Sequence, residues 1–162
     1  MSPTQTRPRQ YWLLKTEPQT FSIDDLRRAP KQTTPWDGVR NYQARNILRD
    51  AMAAGDGVLI YHSCAKPLAI VGRAEVTSDS YPDPSQFDPQ SPYFDGAATA
   101  QNPRWFARDI TFVEAFKRPV LRDVLAHLPQ CADLPLLRRG SRLSVQPVAH
   151  AAWGLILALS EG

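Results

Sequence analysis

At 162 residues the chain has one domain's length, and with 43% hydrophobic residues it can bury a sizeable core. No run of about 18 apolar residues is present, which excludes a membrane-spanning helix, and the polar start from Met1 to Gln10 lacks the apolar segment of a secretory signal. A formal charge of +3 permits nucleic-acid binding without demanding it.

Residues 1–10 read as a short disordered tail. Tyr11 to Leu14 reads as a strand that ends before Pro18. Ser22-Ile23-Asp24-Asp25 is a helix start, with Ile23, Leu26 and Ala29 on its apolar side. Pro30 and Pro35 frame a loop that delivers Trp36, and Asp37-Gly38 is a turn dipeptide. Asn41 is a good N-cap for a helix from about Tyr42 to Ala54, whose apolar positions are Ala44, Ile47, Leu48, Ala51 and Met52; Gly55 stops it. Val58 to Ser63 and Leu68 to Val76 read as strands joined in a hairpin, with Gly72 at a bulge or a close backbone approach. Thr77 to Pro103 is a long proline-rich segment whose aromatics argue for an ordered loop. Beyond it come a strand from Arg104 to Phe116, a short helix from Pro119 to about Leu128, and a helical turn around Leu134 to Leu137. A half-buried strand from Arg142 to Gln146 and, from Val148 to Leu159, a helix or else a final apolar strand broken at Gly154 complete the chain. With no regular β-α alternation, about five or six strands point to an α+β protein, a mixed β-barrel with short helices around it.

Trp36 stands just before a turn that leads into a helix N-terminus. Such a terminus offers free N–H donors to phosphate or carbonyl oxygens, and a neighbouring aromatic can stack on a base. Arg40, Arg45 and Arg49 form a local basic stripe; it is either solvated surface or, beside Trp36, a phosphate contact. His62 is alone in its strand and reads as structural. Cys64 and Cys131 are too few for a disulfide framework or a zinc site, so reduced thiols, no metal and no cofactor are expected.

The stretch from Trp36 to Asn46 (WDGVRNYQARN) resembles the signature of the EVE domain, a member of the PUA-like superfamily. Three further segments match in order: Tyr11 to Pro18, Val58 to Ser63, and Arg142 to Pro147. The resemblance spans about residues 11 to 160 and implies a single PUA-like domain over residues 11–162. Relatives such as YTH domains hold one modified base in an aromatic pocket. By that resemblance Trp36 forms one wall and Tyr81, Tyr93, Phe94 or Trp105 the other, with Asn41 and Ser63 at the polar edges and Arg40, Arg45 and Arg49 on phosphates. The implied function is non-catalytic binding of nucleic acid containing a modified base, modified cytosine in DNA foremost. The protein is expected as a cytoplasmic monomer (bacterial cytoplasm or nucleoid) without membrane contact. Two alternatives stay open. The ASCH amidohydrolases use a Lys, a Thr and a Glu on acylated cytidines, and Lys15, Thr16 and Glu17 supply those types, although adjacent. An RNA-binding or small-ligand module could use the same pocket.

Overall fold

A computed structural model describes residues 7–162. The strands are β1 (Tyr11–Thr16), β2 (Thr33–Trp36), β3 (Gly57–His62), β4 (Ala69–Val76), β5 (Tyr81–Pro82), β6 (Phe106–Leu121) and β7 (Val145–Val148). The helices are α1 (Ile23–Arg28), α2 (Tyr42–Asn46), α3 (Arg122–Leu125) and α4 (His150–Glu161). The strands form one sheet in the order β2-β6-β4-β3-β1-β7, with β5 added beside β6. β1 and β3 are parallel, and the remaining ladders are antiparallel.

Central strands explain the apolar runs. Side chains alternate along a strand, so a strand buried on both faces reads as continuously apolar. Trp12, Leu14, Val58 and Ile60 join one cluster with Trp36, Ile110 and Val145. Leu13, Leu59 and Tyr61 join a second with Phe116, Leu125, Trp153 and Ile156. The first cluster draws on both ends of the sheet, Trp36 from β2 and Val145 from β7, while those two strands share no ladder. The sheet therefore curls around its core and leaves a seam between its end strands.

Several elements differ from the sequence reading. Residues 33–36, expected as loop, form β2; it is an end strand, where Pro35 lacks only an outward N–H. The helix expected to Ala54 shortens to α2 and a single π turn over Ile47–Ala51. β6 runs on to Leu121, past Pro119, so the helix expected from Pro119 begins only at Arg122. Between the pairs Ile70–Val120 and Gly72–Ala115 the register shifts, and Pro119 sits in that irregularity, where no ladder donor is needed. Gly72 is both at the bulge and in close contact, since a Cβ there would meet the Glu114 carbonyl at 2.6 Å. The closing strand is shifted to Val145–Val148, and the long loop contributes β5.

The tail expected over residues 1–10 lies outside the described residues as far as residue 6. From Arg7 the chain is tied down by Asp56, whose side chain is 2% exposed. Asp56 accepts from Arg7 Nη1 and Nη2 (3.0 and 2.7 Å), Gln10 N (3.1 Å), Trp12 Nε1 (2.8 Å) and Ala53 N (3.0 Å). Burial alone would raise its pKa; the bonds from Trp12, Arg7, Gln10 and Ala53 outweigh that and hold it below the usual carboxylate range.

Asp56→Asn should lower stability by about 2–3 kcal/mol at neutral pH, because donors that now meet a charge would meet an amide. The folded-state pKa is depressed, so this contribution is complete above the unfolded value of about 3.9 and is lost as pH falls through the folded one. Urea denaturation of both proteins from neutral pH down to about pH 3 checks this. The gap should narrow on acidification; a constant gap would refute the charge argument.

Candidate nucleic-acid interface

The seam opens into a cavity of about 520 Å³, within the range of roughly 300–1,000 Å³ usual for small-ligand sites. One lip is β2 with the turn after it, Thr34 to Arg40, and Tyr93 above it. The other is the end of β1, Lys15 to Glu17, with Arg142 and Ser144 leading into β7. Leu14 lies opposite Val145, and Lys15 N donates to Ser144 O (2.9 Å). Continuing this register sets Glu17 opposite Arg142, and Lys15, Thr16, Glu17, Arg142 and Ser144 all line the cavity where β1 and β7 meet it. Lys15, Glu17, Asp37 and Arg142 form no ion pair among the described residues. Burial lowers the Lys15 pKa, with Arg122 adding to it. Burial, and then the charge of Asp83, push the Asp37 carboxyl upward.

The aromatic lip is fixed by Asp83, which is 0% exposed. It accepts from Gly38 N (2.8 Å), Arg40 Nη1 (3.1 Å), Ser85 N (2.8 Å) and Ser85 Oγ (2.5 Å). Its burial would raise its pKa, and the bonds from Ser85, Gly38 and Arg40 reverse this. Gly38 has φ +76°, and a Cβ there would come within 2.8 Å of the Tyr93 ring. The turn thus needs glycine twice, for its backbone and for the ring lying on it.

The structure brings Trp36, Ser63, Tyr93 and Arg40 together at this cavity. Trp36 is 8% exposed, packed in the core and edge-on to Phe21, with ring centroids 6.1 Å apart. Tyr93 is 38% exposed. The other candidates lie outside the lining. Asn41 caps α2, its Oδ1 accepting from Ala44 N (2.9 Å). Tyr81 donates to Asp109 Oδ1 (2.6 Å), and Trp105 donates to Asp95 Oδ2 (2.8 Å) while stacking on Tyr42 at 4.7 Å. Phe94 is exposed on the loop beside Gly96.

Arg40, expected on phosphates, has its donors engaged within the protein. A guanidinium has five N–H donors. Those of Arg40 go to Tyr93 O from Nε and Nη2, to Val39 O and Asp83 from Nη1, and to Ser85 Oγ from Nη2. It clamps the Tyr93 loop to the turn. Arg45 engages Asn46 through Nε and the Arg104 carbonyl through Nη1, so its Nη2 stays open; Arg49 pairs with Asp50 at an exposed position. His62 is structural as expected: its Nε2 accepts from Ile23 N at the start of α1 (3.1 Å), and burial lowers its pKa toward the neutral form that can accept.

The EVE domain family matches residues 10–159 of the sequence. The chain belongs to the EVE domain family. It is 40% identical to thymocyte nuclear protein 1 of Gallus gallus over 168 residues, covering 93% of this chain and 69% of the relative. A Pseudomonas syringae protein of known structure is 47% identical, with a TM-score of 0.87 over 93% of this chain and 99% of the other. Human THYN1, solved in complex with DNA containing 5-methylcytosine, is 38% identical, with a TM-score of 0.87 over 94% of this chain and 98% of that one.

Sequence reasoning passed over Phe21, Thr34, Asp37 and Ser144 as lining residues of this EVE domain. Asp37, Arg142 and Ser144 stood inside the recognised motifs, and the pairing of β7 with β1 brings the last two to the cavity. Phe21 and Thr34 carried no local signal. Gly38→Ala should destabilise this EVE domain by about 1–2 kcal/mol from the left-handed backbone alone, and further by displacing Tyr93. Thermal denaturation with near-UV circular dichroism checks it; an unchanged melting point and aromatic spectrum would mean the turn accepts a side chain.

Proposed function

We propose that this EVE domain reads a modified base in DNA, 5-methylcytosine foremost, by holding it everted in the seam cavity without chemical change. The observation that carries this is the cavity itself, with Trp36 on its wall and Tyr93 beside it, in a chain that superposes on an EVE protein solved with 5-methylcytosine DNA. Aromatic surfaces supply affinity through stacking, and the polar lining supplies choice. Such a substrate is met as a monomer in the cytoplasm or nucleoid. Among the described residues no helix is long and apolar enough to cross a membrane.

The amidohydrolase alternative has one supporting observation: Lys15, Thr16 and Glu17 all line the cavity, and burial lowers the Lys15 pKa, as a nucleophilic amine requires. Against it, the Thr16 hydroxyl donates to Phe21 O (2.7 Å), which occupies its proton within the protein. The binding reading is therefore preferred.

Trp36 is also a core residue, so Trp36→Ala would cost about 3–5 kcal/mol of stability and confuse a binding test. Trp36→Leu keeps an apolar side chain in the core, leaves a smaller cavity than Ala and removes the π face. It should weaken binding of a 5-methylcytosine oligonucleotide by about 1–3 kcal/mol; unchanged affinity in the folded variant would remove Trp36 from the site.

Arg45 at the end of α2 and Arg49 in the π turn that continues it, four residues apart, are offered here as the strand's phosphate contacts. Replacing both by Gln should reduce the salt dependence of oligonucleotide binding by about one unit of log–log slope per lost contact. It should leave the affinity for free 5-methyldeoxycytidine unchanged. Binding titrations across a salt series test this, and equal slopes in the two proteins would leave the face as solvated surface.

A further inference from the structure

Two carboxylates line the cavity, Glu17 on the β1 lip and Asp37 on the aromatic lip. Asp37 is held from both sides in sequence. Trp36 before it is paired with Arg108 in the β2–β6 ladder, and the Gly38 N–H after it is tied to Asp83. The backbone of Asp37 is thereby fixed on the aromatic lip, between Trp36 and the Gly38 on which the Tyr93 ring lies. Its charged neighbours on this lip, Asp83 and Arg40, are bonded to each other at 3.1 Å, and Asp37 belongs to no ion pair among the described residues. A cavity-lining carboxylate on the aromatic lip, bonded only to its own backbone N–H and in no ion pair among the described residues, keeps acceptor capacity for a donor on the ligand.

5-Methylcytosine and thymine carry the same methyl group at C5 and present similar faces for stacking. At C4 they differ in sign: cytosine has an amino donor, thymine a carbonyl acceptor. We propose that Asp37 selects cytosine over thymine, its carboxylate accepting a hydrogen bond from the exocyclic N4 amino group of the everted base. Against thymine the same carboxylate faces O4, two acceptors with no proton between them. This rests on the reading of the cavity as a base site. Glu17, across the cavity and away from Trp36 and Tyr93, is the competing acceptor.

The test uses single-stranded oligonucleotides, identical except for one central 5-methylcytosine, thymine or cytosine. Fluorescence polarisation measures their affinities for the wild type, Asp37→Asn and Glu17→Gln, with thermal denaturation to verify folding. The wild type should prefer 5-methylcytosine over thymine by about tenfold or more, the value of one hydrogen bond to a charged group. Asn can turn either its oxygen or its amino group toward the base, so Asp37→Asn should fall to within about threefold for the same pair. A preference retained in folded Asp37→Asn would overturn the assignment while leaving the base site standing. Loss of preference in Glu17→Gln alone would also overturn it and move the selecting acceptor to the other lip. A wild type that binds all three oligonucleotides equally would overturn both the assignment and the base site beneath it.

Discussion

Removing a carboxylate from water is tolerable only when protein donors replace the solvent, and Asp83 meets that condition with four of them. Those donors come from two distant segments, the turn after Trp36 and the loop from Asp83 onward. Answering the charge therefore docks one on the other. Arg40 is oriented by this pairing, and two of its other donors reach the Tyr93 carbonyl. The Tyr93 ring then lies on Gly38, where there is no side chain to hold it off. The position of the exposed aromatic over the cavity is thus a consequence of a buried charge that lies outside the cavity lining.

A second arginine works similarly deeper in the molecule. Arg108 is 5% exposed and has no carboxylate partner among the described residues. It donates to the carbonyls of Leu48, Arg49 and Ser78. The π turn closes with Met52 N bonded to Ile47 O, so the Leu48 and Arg49 carbonyls are free for a guanidinium. The negative end of a helix and a buried cation satisfy each other, and the helix bearing Arg45 and Arg49 is fastened to β6. Two of the arginines that make the chain basic thus serve its fold. A net charge of +3 says little about the binding surface until each cation's partners are known.

What could be read from the sequence followed the strength of the local signal. The Ser22 start was legible because a capping box is local, and the structure forms it with Asp25. The hairpin of β3 and β4 was legible because both strands are apolar and the link is short. β2 was illegible: two threonines, a proline and a tryptophan make a strand only through pairing with β6, far along the chain. Pro119 gave a false helix start because its missing N–H falls in a bulge that sequence does not reveal. At the cavity, Trp36 and Ser63 could be singled out by their motifs, whereas the placement of Tyr93 in the lining, and not of Tyr81, Phe94 or Trp105, depends on the contacts of Gly38 and Arg40. The clamp made by Arg40 was not legible, because a surface arginine and a clamp look alike until the acceptors are in view.

The missing ladder between β2 and β7 has an entropic meaning as well. Residues on the two lips, such as Trp36 and Arg142, are far apart in the chain and carry no β2–β7 hydrogen bond between them. A ligand that touches both lips serves as a removable crosslink across one of the longest loops the chain can close. Its binding energy then adds to the cohesion of the native state, because the unfolded chain offers it no such pair of lips. The breadth of the seam is set by side chains and not by the fixed spacing of a β ladder, so substitutions on the lips can reshape it without breaking a strand pair.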